Sequence, residues 1–229
     1  MEAKGGSDNV LMASNYIHDI TSRAIMLGGE NCDDTSMWGY PGSIAAHNGT
    51  NEIARNNIIV NVSESGGVGI GIYGCSGCAA DINSVWDDNT AHNHLYFVKA
   101  DVAHRIPSNV TLAGGSDDLY DNLFGKPDTT KVWCTISDPN GYLSHDYNEW
   151  WMPAGQVSGC ATDTHSFTTD PMVTNSTPTQ ALYLKPLTGS PLIRAGIYQA
   201  EIVSADGNSY DYSAVVRDSN HPTLGALEP

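Results

Sequence analysis

Short stretches in which every second residue is apolar recur along the first half of the chain. Val68-Gly-Ile70-Gly-Ile72 is the clearest: three β-branched residues share one face and glycine takes the other. A period of two marks a strand with one buried face. Ile25 and Leu27 form an earlier alternating pair, and Leu95 and Phe97 a later one. The pairs at Ile70 and Leu95 lie 25 residues apart, those at Ile25 and Ile70 lie 45 apart. The longer interval is one repeat plus an insertion, placed in the polar stretch from Gly28 to Thr50.

Asparagine keeps the same beat. Asn57, Asn83 and Asn109 are spaced by 26 and 26 residues, and each opens an apolar piece: Ile58-Ile-Val, Ser84-Val-Trp and Val110-Thr-Leu. Asn15-Tyr16-Ile17 is the equivalent start in the earliest turn. Asparagine tolerates left-handed backbone angles, and its amide can bond to an asparagine one repeat away. One such repeat cannot bury its apolar face alone, so successive repeats must stack. The expected fold is all-β: a right-handed parallel β-helix of about five or six turns, with rungs over about 9–130 and an irregular C-terminal cap over 131–229, all one domain. The alternative is a β-sandwich with asparagine in its turns, but sandwich strands do not recur at one fixed interval.

Composition narrows the function. Lys plus Arg is 10 against 26 Asp plus Glu, a net charge of −16. Phosphate recognition needs clustered cations, so nucleic acid is excluded as a partner, and an anionic membrane surface is disfavoured. No apolar run reaches the length of a membrane span, so no membrane insertion is expected. A polyanionic ligand would be repelled unless a divalent cation sat between.

The later half of the chain carries a series of short motifs: Asp146-Tyr-Asn-Glu-Trp150, Asp163-Thr-His-Ser-Phe-Thr-Thr-Asp-Pro171, Ser190-Pro-Leu-Ile-Arg-Ala-Gly196 and Leu224-Gly-Ala-Leu-Glu228. In kind, order and spacing they resemble the C-terminal part of bacterial secreted right-handed parallel β-helix proteins, the pectate-lyase-like superfamily. The resemblance implies an extracellular or cell-surface protein that binds and cleaves a polysaccharide, as a lyase or a glycosidase. The competing class is a non-catalytic cell-surface, phage-tail or filament module that binds glycan or only builds structure. The resemblance also implies a site on the outer face of the rungs, between residues 28 and 130, and a structural role for His165.

Within that stretch the candidate chemistry is carried by few groups. Asp87 and Asp88 are a carboxylate pair for acid–base work. Asp117, Asp118 and Asp121 offer three oxygen ligands in one short loop, which suits Ca2+; the alternative is that these aspartates are turn residues. Lys99 and Arg105 are the cationic candidates for a lyase base and charge stabiliser. His92 and His94 share one face if that segment is extended. Trp38 and Tyr40, inside the insertion, suit a groove wall on which sugar rings stack.

Five cysteines are present. Cys75 and Cys78 have Cys-x-x-Cys spacing, but a zinc site wants a second such pair or paired histidines, and neither is evident. One or two structural disulfides are expected, with Cys134 and Cys160, 26 residues apart, a suitable pair. The opening Met1-Glu-Ala-Lys-Gly-Gly reads as an engineered junction or a mid-protein cut, and Val10-Leu-Met12 as a turn already under way. An upstream segment or a second copy of the chain is therefore expected to cover the N-terminal end.

Overall fold

The computed structural model describes residues 1–3, 7–28, 49–62, 67–87, 96–101, 116–127, 133–137, 143–153, 163–174, 180–200, 204, 208–218 and 220–229, with the backbone alone for 96–101 and 133–137. The chain winds as a right-handed parallel β-helix. Four stacks of strands run up the coil, and every strand pairing among them is parallel. The first sheet holds Glu2–Ala3, Arg23–Gly28, Val68–Tyr73, Tyr96–Asp101 and Trp133–Ser137. The second, short sheet holds Ser7–Asp8, Gly49–Thr50 and Cys75–Ser76. The third holds Leu11–Ala13, Ile53–Arg55, Ala79–Asp81, Asp117–Tyr120 and Leu143–Asp146. The fourth holds Tyr16–Ile20, Ile58–Val62, Ser84–Trp86, Leu123–Gly125 and Glu149–Trp151.

Alternation builds the core as predicted. Ile25 pairs with Ile70 and Leu27 with Ile72, and all four are fully buried in one apolar column. From the fourth sheet Ile17, Ile59, Val85, Phe124 and Trp150 point the same way, with Phe124 stacked on Trp150 at 4.3 Å. Above Ile70 and Ile72, however, stand Val98 and Ala100 rather than Leu95 and Phe97. Tyr96 to Asp101 run in unbroken register over Val68 to Tyr73, and the irregularity between Tyr96 and Val98 falls on the strand's other edge, against Trp133 and Cys134. A one-residue slip exchanges the two faces of a strand, and the segment 95–100 is apolar enough at alternate positions to read either way.

The asparagine ladder is present, with one member exchanged. Asn15, Asn57, Asn83, Asn122 and Asn148 are joined amide to amide over 2.8–3.1 Å, and each from Asn57 onward also accepts the backbone N–H of the asparagine below it. Asn109 lies outside the described residues; its expected place is held by Asn122, 39 residues after Asn83. The steps are therefore 42, 26, 39 and 26 residues. Each asparagine follows a residue in the left-handed region: Ser14, Asn56, Ile82, Asp121 and Tyr147, with φ between 51° and 57°. That pair of residues turns the chain from the third sheet into the fourth without a loop.

The coil runs further than the sequence motifs imply, from Glu2–Ala3 to Glu149–Trp151. Asp146-Tyr-Asn-Glu-Trp150 is thus a rung, with Asn148 the last step of the ladder. Ser166 then closes the ladder by accepting the N–H of Asn148 at 2.9 Å. The remaining tail is irregular and packs along the outer face of the fourth sheet. Leu184, Leu192, Leu224, Ala226 and Leu227 bury Ile58, Val60, Trp86 and Leu123 there, a second apolar cluster outside the coil. Trp86 reaches across Gly125 to stack on Trp151 at 5.5 Å; a Cβ at Gly125 would stand 2.1 Å from the Trp86 ring. Arg217 is fully buried and locks the tail down, donating to Asn56 Oδ1, Glu228 and the carbonyls of Thr223 and Gly225.

Candidate functional site

The aspartates singled out by sequence are mostly inside. Asp87 is fully buried, and its carboxylate meets the Lys126 ammonium at 2.9 Å, itself fully buried. A substrate has no access to either in this structure. The pair bridges two rungs: the Asp87 N–H donates to the Gly125 carbonyl. Asp117 and Asp118 are consecutive in a strand and so project to opposite faces. Asp117 is buried and accepts the Cys78 N–H at 2.9 Å, whereas Asp118 faces outward, half-buried. Asp121 is the left-handed turn residue, and it accepts the Ile197 N–H of the tail at 3.1 Å. The three expected calcium ligands therefore do not converge. Lys99 lies at the register position between Gly71 and Thr135 in the first sheet. Trp38, Tyr40, Asp88, His92, His94 and Arg105 lie outside the described residues, as does Cys160.

The outer face of the third sheet brings a different set together. Alternation points Leu119 and Leu143 into the core and leaves Asp118, Tyr120, Ser144 and Asp146 outside. Asp118 pairs with Ser144 and Tyr120 with Asp146, so the two carboxylates lie on adjacent strands, two residues out of step. Strand spacing and rise put such positions about 8 Å apart. Asp146 Oδ2 receives His165 Nδ1 at 2.6 Å, and Oδ1 accepts the N–H groups of His165 and Tyr147, both at 2.8 Å. Tyr147 and His165 stack at 4.7 Å.

Burial pushes the Asp146 carboxyl up, but the His165 hydrogen bond, the two backbone N–H donors and the His165 charge outweigh it and hold the group below the ordinary aspartate range. Its side chain is 19% exposed and that of His165 53%. Tyr120 moves the other way: burial raises its hydroxyl, and Asp118 and Asp146 add to the rise. The face therefore offers an ionised carboxylate, a second carboxyl one strand away, a neutral phenol between them and a stacked aromatic pair at the rim. The sequence contained Asp146 and His165 only as parts of motifs read as structural, and nothing in it placed Asp118 beside them.

A second polar cluster sits at the corner of the second sheet. Cys75 and Cys78 form a disulfide, and Glu52, one rung below, lies against them fully buried. The Cys134–Cys160 pairing lies outside the described residues.

No protein-family model and no curated protein matches the chain. Among solved structures it is similar to pectate lyase Pel9A, at 12% identity and a TM-score of 0.30, over 96% of this chain and 66% of that one. The chain thus spans just under two thirds of that lyase's length.

Proposed function

We propose that this chain is an extracellular β-helix that binds an uncharged polysaccharide along the outer face of the third sheet and hydrolyses it between Asp118 and Asp146. The observation that carries the reading is the pairing of two outward carboxyls, one held ionised, beside an exposed aromatic stack. Inverting glycosidases hold their carboxyls about 6.5–9.5 Å apart, leaving room for a water; Asp118 and Asp146 stand about 8 Å apart at the backbone, from which their side chains can reach such a spacing. Asp146 takes the proton of the attacking water, whose oxygen bonds to the anomeric carbon. Asp118 protonates the departing glycosidic oxygen. Stacking on the Tyr147–His165 pair holds a sugar ring across the face. The excess of acid favours a neutral glycan over a uronate. No calcium step enters, and a lyase reaction at Lys99 and Arg105 has less support, because no carboxyl geometry goes with it. The Cys75–Cys78 disulfide supports an oxidising compartment.

Incubation with a panel of neutral and uronic polysaccharides tests it, with reducing ends counted and the product anomer read by NMR. Turnover of a neutral glycan with inversion is expected, falling at least about a hundredfold in Asp146→Asn and in Asp118→Asn. Turnover unchanged in both variants overturns it. One observation favours a non-catalytic reading: Asp146 spends both oxygens holding the turn at Tyr147 and His165. On that reading Asp146→Asn lowers the melting temperature, and no glycan is cleaved.

A further inference from the structure

The disulfide corner contains a buried carboxylate. Glu52 is fully exposed to its neighbours and hidden from water: it is 0% solvent-accessible, with Ser7 donating to Oε1 and the Gly28 N–H donating to Oε2 at 2.6 Å. Gly49 leaves the space it fills, since a Cβ there would stand 2.2 Å from Oε1. On its remaining side Oε2 lies 3.6 Å from Cys75 Sγ. A disulfide sulfur carries no hydrogen, so this approach is not a hydrogen bond. An acid buried against two sulfurs gains nothing from them while they are oxidised.

Reduction changes the chemistry of the corner. A dithiol reductant transfers two electrons and two protons, becomes a disulfide itself, and leaves two thiols. Cys75, Cys78 and Glu52 then present two sulfurs and an oxygen, with ligand atoms within 4.8 Å of one another and all three residues buried. A tetrahedral zinc ion with bonds of 2.0–2.3 Å keeps its ligand atoms about 3.5–4 Å apart. Cys-x-x-Cys supplies half of such a site, and the missing ligand comes from the rung below, 23 residues earlier, where no sequence motif would place it. We propose that the reduced chain binds one zinc-class divalent cation through Glu52, Cys75 and Cys78, and that the oxidised chain does not. Binding displaces the two thiol protons, and the fourth position is left for water. The disulfide joins residues only 3 apart, so it staples one turn to itself. The metal instead joins two rungs.

The test is Co2+ titration of the full chain carrying Cys32→Ser, Cys134→Ser and Cys160→Ser, reduced with a phosphine that is then removed. Expected is a thiolate-to-cobalt charge-transfer band saturating at one equivalent, displaced by Zn2+, absent from the oxidised protein and lost in Cys78→Ser. Glu52→Gln should weaken binding at least about tenfold. X-ray absorption on the zinc-loaded, otherwise unaltered site should count two sulfurs with the rest oxygen, a readout that does not depend on whether Glu52→Gln folds. No charge-transfer band after reduction, a band that survives Cys78→Ser, or a shell of four sulfurs would each overturn the assignment.

Discussion

Glu149 sits under the tail on the outer side of the fourth sheet, bridged to Phe167 and fully buried. Neither carboxyl oxygen has a hydrogen-bond partner among the described residues. Burial, with Asp170 adding repulsion, pushes the group from 4.5 to about 8. In the folded chain it is therefore protonated near neutrality, whereas in the unfolded chain it ionises above pH 4.5. Its stabilising contribution is complete below pH 4.5 and is lost as pH rises towards 8. Each unit corresponds to 1.36 kcal/mol, so the loss is about 3 kcal/mol by pH 7 and about 5 kcal/mol over the whole window. Glu149→Gln has no proton to lose. Denaturant midpoints measured at half-unit steps from pH 4.5 to 8.5 should fall steeply in the parent protein and much less in the variant. Glu52, raised by burial to about 7, slopes both curves in the same direction and cancels in their difference. Parallel curves for the two proteins would refute the reasoning.

The buried Asp87–Lys126 pair gives a non-additive expectation: Lys126→Met alone should cost about 3–5 kcal/mol by stranding a carboxylate, and adding Asp87→Leu should recover most of it, read by chemical denaturation. Ile70→Ala should cost about 2–5 kcal/mol in the same assay, since the cavity opens in the buried column between Ile25 and the rung of Val98. Asn83→Ala breaks the ladder in the middle, leaving buried amide groups of Asn57 and Asn122 without their partner; a loss of about 3 kcal/mol or more is expected, against well under 1 kcal/mol for an exposed polar residue such as Thr164.

The repeat was readable because a ladder needs one residue type at one place. Asparagine alone both takes the backbone N–H from below and bonds the next amide, so its spacing survives in the sequence. The residue before it needs only a left-handed backbone, and Ser14, Asn56, Ile82, Asp121 and Tyr147 share nothing else. That half of the signal is invisible, and without it the spacing of 26 favours Asn109 over Asn122, which stands 39 residues after Asn83. Insertions hide the step from Asn83 to Asn122 for the same reason. The site was harder to read. Adjacent aspartates look like paired acids in a sequence, but a strand sends neighbours to opposite faces, and so Asp117 is inside while Asp118 is outside. Asp118 and Asp146, or Glu52 and Cys75, meet only across rungs, where the distance in sequence carries no message about distance in space.

The ladder also dictates how the molecule would answer a mechanical load. Each rung is tied to the next by the same few bonds, while the tail clamps the coil through Asn56, Ser84 and Asp121 and, at the last rung, through Asp146 and Asn148. Pulled from its first residue, the coil should unzip in discrete lengths set by the steps of 42, 26, 39 and 26 residues. At about 3.5 Å of contour per residue, the shortest releases about 90 Å at a time. Pulled from its last residue, it should hold until Arg217 and the tail's leucines let go together, and only then begin to unwind. The two ends of one chain would thus give two different force records, a sawtooth from one and a single high rupture first from the other.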